Sequence, residues 1–152
     1  MVVYRVGRTK YAGDLTGEGA RLNGGRWNKK LSPCIYTSES RALAVLEYTV
    51  NANIEDIPRA LSITTFEIRD SNVLRITTDQ LPGDWKASPA PYSTKILGSQ
   101  LLKKCEYLSI KIPSVVLEDE YNYLLNPLHK DAIKFSIVAI RDFIYDVRIK
   151  IK

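Results

Sequence analysis

The segment 24–28 (GGRWN) places an arginine directly after two adjacent glycines. Glycine permits positive φ and lets backbone N–H groups approach a ligand closely, and such groups favour anions. The guanidinium of Arg26 can hold a phosphate or a carboxylate through two parallel hydrogen bonds. The segment therefore predicts an anion-binding loop centred on Gly25 and Arg26, although Gly-Gly-Arg also occurs in plain turns.

Glu47 is a carboxylate within the apolar stripe of a predicted helix. Leu43 and Ala44 precede it by four and three positions, and Val50 follows it by three, all on one helical face. A carboxylate in such a place costs free energy unless it is paired, and such groups concentrate at functional sites. Glu47 is therefore a candidate catalytic residue, with a buried ion pair to one of the N-terminal arginines as the alternative.

Ser114 follows Pro113 at the end of a predicted strand. A serine nucleophile needs a base, and His129 is the only histidine of the chain. Because no G-x-S-x-G elbow surrounds Ser114, the sequence argues against a hydrolase triad. We expect Ser114 to donate a hydrogen bond to a ligand, and a structural serine at a strand end is the alternative.

The elements that must position these residues are mixed helices and strands. Ser38 is the predicted N-cap of a helix over 39–53, which carries Glu47. Residues 7–32 hold six of the eight glycines, and so long a polar stretch is typical of a functional loop. β-Rich runs and helix formers predict strands at 2–6, 34–37, 62–68, 73–76, 107–112, 135–140 and 143–151 and a second helix at 93–103. This mixture predicts one α+β domain over 1–152, with a largely antiparallel sheet and flanking helices.

Positive charge is concentrated at the N-terminus. The 152 residues include 22 Lys or Arg and 17 Asp or Glu, a net charge of +5, and residues 1–30 hold seven cations against Asp14 and Glu18. The remaining chain balances 15 cations with 15 anions, so the whole excess surrounds the segment 24–28. We expect an anionic ligand there, with a solvated basic N-terminus as the alternative.

The composition excludes several classes of protein. Apolar residues make up 45% and charged residues 26%, which is typical of a globular domain and excludes wholesale disorder. No apolar run reaches the roughly 18–20 residues of a membrane span. The N-terminus does not resemble a secretory signal, so we expect a cytoplasmic protein in which Cys34 and Cys105 are reduced thiols. One histidine and two cysteines predict no transition-metal site.

Together these motifs resemble the RES-domain family, which is named for an Arg, a Glu and a Ser. The resemblance runs over nearly the whole chain, through Tyr4-Arg5 and the segments 17–20 (GEGA), 24–28 (GGRWN), 35–38 (IYTS), 42–47 (ALAVLE), 112–114 (IPS), 122–129 (NYLLNPLH) and 146–148 (DVR). The family Arg, Glu and Ser correspond to Arg26, Glu47 and Ser114. The segment 98–102 (GSQLL) departs from the family pattern, in which an acidic residue and a Trp tend to follow the glycine.

The resemblance implies a fold like that of ADP-ribosylating toxins and a bacterial toxin partnered by an Xre-like antitoxin with a helix-turn-helix domain. Contact with DNA would be indirect, through the antitoxin, and a homodimer is compatible with the sequence although no feature specifies one. It also implies NAD⁺ as substrate, no cofactor besides it, and cleavage of the nicotinamide–ribose bond with water, phosphate or a protein as acceptor. The implied catalytic residues are Arg26, Glu47 and Ser114, and the implied NAD⁺ contacts are Arg5, Gly25, Arg26, Tyr36 and Asn122.

The residues themselves are compatible with that activity. The segment 24–28 and the cations around it suit the pyrophosphate of NAD⁺. A carboxylate such as Glu47 stabilises the positive charge that develops on the ribose as nicotinamide leaves. Tyr36 is expected either to stack on nicotinamide or adenine or to be a core residue of its strand. Two other classes stay open: a basic toxin that targets nucleic acid, for which no binding motif is present, and a non-enzymatic protein-binding module.

Overall fold

The computed structural model describes residues 1–150, without the side chain of Ile54. Its helices are α1 (Glu18–Asn23), α2 (Arg41–Asn51) and α3 (Tyr92–Lys104). Its strands are β1 (Val2–Arg8), β2 (Ile35–Ser38), β3 (Leu61–Glu67), β4 (Val73–Arg75), β5 (Ser109–Pro113), β6 (Tyr121–Leu125) and β7 (Ser136–Phe143). None of these described helices combines the length and the hydropathy that a membrane span requires.

The seven strands form one sheet in the order β4-β5-β6-β2-β1-β3-β7. Neighbouring strands are antiparallel, except for β4 and β5, which are parallel. The α+β class and the largely antiparallel sheet predicted from the sequence are therefore confirmed.

The sheet opens near its centre, where β1 meets β2. β1 pairs with β3 along its whole length, whereas it pairs with β2 only between Tyr4 and Ser38. β2 instead pairs with β6 on its other side, from Ile35 to Ser38. Because β1 and β2 share a single pair, a gap separates the two halves of the sheet, and side chains of both strands line it.

Two apolar clusters cover the two faces of the sheet, and successive residues of a strand alternate between them. In β6, Tyr123 and Leu125 belong to one cluster and Leu124 to the other. The second cluster packs Trp27, from the segment 24–28, against the sheet and against Leu102 of α3. The segment 24–28, which we call the glycine-rich segment, is thus anchored in the core by Trp27.

Helix α2 begins two residues later than the sequence predicts. The Oγ of Ser40 accepts a hydrogen bond from the backbone N–H of Leu43 at 3.0 Å, so Ser40 is the N-cap and the prediction of Ser38 is wrong. Ser38 is instead the last residue of β2, because strand pairing holds its backbone extended. The helix buries Leu43 and Ala44 completely and leaves Glu47 half-buried at the border of the apolar face.

Three further expectations are corrected by the structure. Residues 7–32 are not a structureless loop, since they contain α1. Residues 121–125, for which the sequence predicts no strand, form β6. The strand predicted over 143–151 is wrong within the described residues, because β7 ends at Phe143 and a 3₁₀ turn at Val147–Ile149 follows; residue 151 lies outside the description. The other predicted strands and the second helix are confirmed to within three residues at each end.

Helix α3 packs against the glycine-rich segment at Gly98, which lies next to the backbone of Trp27. A Cβ added to Gly98 would lie 1.9 Å from the carbonyl oxygen of Trp27 and 2.7 Å from its carbonyl carbon. Backbone atoms cannot move aside as a flexible side chain does, so this close approach requires glycine. The contact fixes the distance between α3 and the segment 24–28.

Polar contacts reinforce the same interface. The Oγ of Ser99 accepts a hydrogen bond from the backbone N–H of Lys29 at 2.8 Å. The Nζ of Lys95 donates to the carbonyl oxygen of Gly25 at 2.7 Å. Through Gly98 and Ser99, the segment 98–102, which departs from the family pattern, therefore packs against the glycine-rich segment and the lysine that follows it.

Replacement of Gly98 by alanine tests this packing. In a helix interior, alanine is ordinarily more stable than glycine by about 1 kcal/mol. Here the clash is expected to lower the free energy of unfolding by about 2 kcal/mol, within the range for overpacked sites. The measurement is urea unfolding of Gly98→Ala beside the control Gly83→Ala, where nothing lies within 4 Å of the added Cβ. A Gly98→Ala protein as stable as the wild type would contradict this packing.

Candidate active site

A cleft opens at the gap between β1 and β2 and continues between α2 and the segment 24–28. Its inner part is a cavity of about 260 Å³, and its outer part is wider, at about 1130 Å³. Both parts are bordered by the same four polar side chains, those of Tyr36, Glu47, Asn51 and Asn122. The site is therefore formed jointly by β2, α2 and β6.

The carboxylate of Glu47 lies where the two parts of the cleft meet. Its Oε1 accepts a hydrogen bond from the Oγ of Ser114 at 2.8 Å and another from the Nδ2 of Asn122 at 2.6 Å. Its Oε2 accepts none from the part of the chain that the structure describes. Two donors thus fix the carboxylate through one oxygen and leave the other oxygen for a ligand.

Ser114 is buried, with 1% of its surface exposed. Its Oγ accepts hydrogen bonds from the backbone N–H groups of Val116 and Leu117, at 3.0 and 3.2 Å. A serine hydroxyl has one proton to donate, and these two bonds direct that proton to Glu47. The structure therefore places Ser114 against the carboxylate of Glu47, whereas the sequence suggested a direct contact with the ligand.

Asn122 is oriented by Ser38, for which the sequence predicts a helix N-cap and no role at the site. Ser38 is 3% exposed, and its Oγ donates to the Oδ1 of Asn122 at 2.7 Å. This bond fixes the amide group so that its Nδ2 points to Glu47. Ser38 and Asn122 are direct partners in the register of β2 and β6, and only that register reveals the contact.

Arg26 lines the outer cleft without forming an ion pair to Glu47. Its Nη1 donates to the carbonyl oxygens of Trp85 and Ala87, at 3.0 and 2.8 Å. Burial lowers the pKa of the guanidinium, and the nearby charge of Glu47 acts in the opposite direction. Within residues 1–150 the alternative of a Glu47–arginine ion pair is thus not observed, and the Nη2 of Arg26 has no protein partner.

Tyr36 joins β2 to the glycine-rich segment. Its hydroxyl donates to the Oδ1 of Asn28 at 2.7 Å and accepts from the backbone N–H of Trp27 at 2.9 Å. Burial raises the pKa of this hydroxyl well above its ordinary value. A Cβ at Gly25 would lie 2.6 Å from the same hydroxyl, which explains the glycine there. The hydroxyl of Tyr36 therefore has a structural role, and Tyr36 also borders both parts of the cleft.

Arg5 borders the inner cavity, but its guanidinium is engaged elsewhere. Its Nη2 donates to the carbonyl oxygens of Tyr11 and Ala12, at 3.1 and 3.2 Å, and its cation lies 5.0 Å from the ring centre of Phe66. Burial lowers the pKa of Arg5, and the charge of Asp14 opposes that shift. Arg5 thus ties the turn after β1 to the sheet, and it also borders a second cavity of about 430 Å³.

His129 is not a partner of Ser114. It is 5% exposed, and its Nδ1 accepts a hydrogen bond from the backbone N–H of Asp131 at 3.0 Å. Its Nε2 lies 3.2 Å from the amide group of Asn72. Both ring nitrogens are engaged in holding the turn after β6, so no serine–histidine pair exists in the described residues.

Comparison with known proteins shows close relatives of this chain. A family model described as "RES domain" matches residues 2–146. The Toxin Res of Yersinia enterocolitica serotype O:8 is 35% identical over 152 residues, covering 99% of this chain and 100% of the relative. The Prs ADP-ribosylating toxin of Sphingobium sp. strain YBL2 is 35% identical over 144 residues, covering 93% of this chain and 89% of the relative.

A solved structure shares the fold. A chain in the M. tuberculosis MbcT–MbcA toxin–antitoxin complex aligns with a TM-score of 0.76 and 21% identity, over 94% of this chain and 84% of that one. The family match covers nearly the whole sequence, and the relatives exceed 30% identity over almost their full length. This chain therefore belongs to the RES domain family.

Proposed function

We propose that this protein is the toxin of a bacterial toxin–antitoxin pair, and that it binds NAD⁺ in the cleft and cleaves its nicotinamide–ribose bond. The observation that carries the proposal is the Glu47 carboxylate, which borders both parts of the cleft, is held by Ser114 and Asn122 through Oε1, and has no hydrogen-bond partner at Oε2 among the described residues. Relatives named Toxin Res and Prs ADP-ribosylating toxin support the same function. Because NAD⁺ is a cytoplasmic dinucleotide, the proposal includes a cytoplasmic location.

The chemistry requires a negative charge beside the reacting ribose. The bond between the ribose C1′ and the nicotinamide nitrogen breaks, and nicotinamide leaves as a neutral molecule with the electron pair. Positive charge then develops on the ribose, and a carboxylate that is already in place stabilises it without reorganisation. The free Oε2 of Glu47 also accepts a hydrogen bond from a ribose hydroxyl. Water, phosphate or a protein side chain then forms the new bond at C1′ and loses its proton.

The pyrophosphate of NAD⁺ is assigned to Arg26. The outer cleft is lined by this arginine and by the backbone of Gly24 and Gly25. The Nη1 of Arg26 is committed to two carbonyl oxygens, so the guanidinium is fixed in place and its remaining N–H groups serve the anion. The net charge of +5 within residues 1–30 favours the approach of an anionic substrate to this cleft.

The proposed partner is an antitoxin with an Xre-like helix-turn-helix domain, through which any contact with DNA is indirect. The likeness of the fold to a chain from a toxin–antitoxin complex supports a partner of this kind. Of the seven cations in residues 1–30, the two that line the cleft, Arg5 and Arg26, are half-buried, whereas four of the other five are exposed. We assign NAD⁺ to the two half-buried arginines, and binding of a nucleic acid to the exposed cations is an outcome of the experiment below.

The experiment that tests the function is incubation of the pure protein with NAD⁺ and, separately, with bulk RNA. We expect release of nicotinamide from NAD⁺ and intact RNA. The reaction is repeated with and without inorganic phosphate and with bacterial lysate proteins, and product analysis then identifies the acceptor. Degradation of RNA, or no consumption of either substrate, would contradict the proposal.

Glu47→Gln is expected to lower kcat strongly while preserving the affinity for NAD⁺. Glutamine keeps an oxygen for Ser114 and Asn122 but removes the negative charge, so kcat should fall by about 10²–10³-fold, as for other electrostatic stabilisers. The affinity for NAD⁺ should change little. Single-turnover rates and calorimetry measure the two quantities, with the exposed Glu67→Gln as the matched control. An equal loss of affinity and rate would contradict this role.

Arg26→Ala is expected to weaken binding of the pyrophosphate. Loss of a charge-assisted contact of about 2–3 kcal/mol corresponds to a rise in Kd of roughly 30- to 150-fold. Kd for NAD⁺ and for ADP-ribose should rise together, whereas Arg21→Ala, in the same basic region but paired with Glu18, should match the wild type. Because Arg26 also holds Trp85 and Ala87, Tm is compared in the same experiment. Unchanged affinity in a folded Arg26→Ala protein would refute the assignment.

Ser114→Ala is expected to act on the rate and not on binding, because its hydroxyl contacts Glu47 and is shielded from the cleft. Asn122 still holds the carboxylate, so we expect kcat to fall about tenfold, a loss of about 1.4 kcal/mol in transition-state stabilisation. Kinetics with NAD⁺ separate kcat from KM. A loss as complete as that of Glu47→Gln would indicate a covalent nucleophile, and a rise in KM alone would indicate a direct ligand contact.

A further inference from the structure

The chain beyond β7 returns to helix α2 instead of continuing the sheet. We call residues 144–150 the C-terminal strap. Within it, Ile144 is 91% exposed whereas Tyr145 is 8% exposed, so the backbone turns the tyrosine inward. The β-rich run for which the sequence predicts a strand therefore places Tyr145 in a contact with α2.

Tyr145 binds the helix at Thr49. The two hydroxyl oxygens lie 2.8 Å apart, and the Oγ1 of Thr49 also donates to the carbonyl oxygen of Val45 at 2.8 Å. A threonine hydroxyl has one proton, so Tyr145 must be the donor to Thr49. The ring of Tyr145 packs against that of Tyr48, with 6.0 Å between their centres.

Lys150 binds the end of the same helix. Its Nζ donates to the carbonyl oxygen of Thr49 at 2.5 Å and to that of Ala52. Helix α2 has no basic residue in its last turn, and its final carbonyl groups need donors from elsewhere. Lys150 supplies both the hydrogen bonds and the positive charge that a helix C-terminus favours.

These contacts fall on the turn of α2 that carries the active site. Thr49 is two residues from Glu47, and both Tyr48 and Asn51 line the cleft. Ser114 and Asn122 hold the carboxylate from the side of the sheet, while the strap holds the helix backbone from its C-terminal end. We propose that Tyr145 and Lys150 are positioning residues for Glu47, which act through α2 without touching the substrate; this inference rests on the proposed function.

The expected effect is a loss of rate with little loss of affinity. Tyr145→Phe removes one hydrogen bond and keeps the ring, and Lys150→Met removes the charge and keeps the length of the side chain. Each should lower kcat about five- to tenfold, because small displacements of a catalytic group are costly, while KM for NAD⁺ changes less than about twofold. Lys150→Arg should restore the rate. Arg148→Met is the matched control, since within residues 1–150 the side chain of Arg148, in the same strap, pairs with Asp146 and with no other residue.

A second background separates positioning from general destabilisation. In the Glu47→Gln protein the carboxylate is already absent, so Tyr145→Phe and Lys150→Met should lower the remaining rate no further. A merely structural role would lower the rate by the same factor in both backgrounds. That result, or a kcat equal to that of Arg148→Met, would overturn the inference.

Hydrogen exchange of the α2 amides gives a readout that does not depend on the reaction. Peptides covering 41–51 should exchange faster in Tyr145→Phe and in Lys150→Met than in Arg148→Met, while peptides of β5 and β6 remain unchanged. Unchanged exchange in α2 would overturn the role of the strap whatever the activity. A wild-type protein that does not consume NAD⁺ would instead refute the proposed function, and hydrogen exchange would still decide whether the strap holds the helix.

Discussion

Two hydrogen bonds that converge on one oxygen of Glu47 hold its carboxylate where α2 meets the ends of β5 and β6. A half-buried carboxylate loses hydration, and two donors to one oxygen, from Ser114 and Asn122, offset that loss. Hydrogen bonds to a charged group contribute about 1.5–3 kcal/mol each. Neither donor can turn away, because Ser114 accepts two backbone N–H groups and Ser38 holds Asn122. The carboxylate is thus fixed before a ligand binds, which is the preorganisation that electrostatic catalysis needs.

The fold assembles this network from distant parts of the chain. Ser114 and Asn122 lie 67 and 75 positions from Glu47 in the sequence. The pairing of β5 with β6 and of β6 with β2 brings the donors together, and the single contact between β1 and β2 leaves room for the cleft beside them. On the other wall, the close approach at Gly98 fixes the segment that carries Arg26. The sheet, the helix and the glycine-rich segment therefore converge on one site because each has a specific contact that sets its distance.

The parts of the site with a local signal can be predicted from the sequence. Glu47 follows Leu43 and Ala44 on one face of its helix, a pattern that places it at the border of the core, and the adjacent glycines before Arg26 mark a backbone that approaches another group closely. Ser38 has no such signal, because its contact depends on the register of β2 against β6, and the partner of Ser114 depends on two backbone N–H groups that only the folded turn supplies. The same limit explains the wrong C-terminal strand: a β-rich run cannot show that Tyr145 turns back to meet α2.

A crystal structure of the Glu47→Gln protein with NAD⁺ bound would show where the dinucleotide lies. We expect the nicotinamide ribose in the cleft, with a hydroxyl within hydrogen-bond distance of the side chain at position 47, and the pyrophosphate in contact with Arg26. Ser114 should remain bonded to position 47 and should not touch the dinucleotide. NAD⁺ bound instead in the second cavity, beside Arg8 and Thr64 and out of reach of position 47, would contradict this expectation.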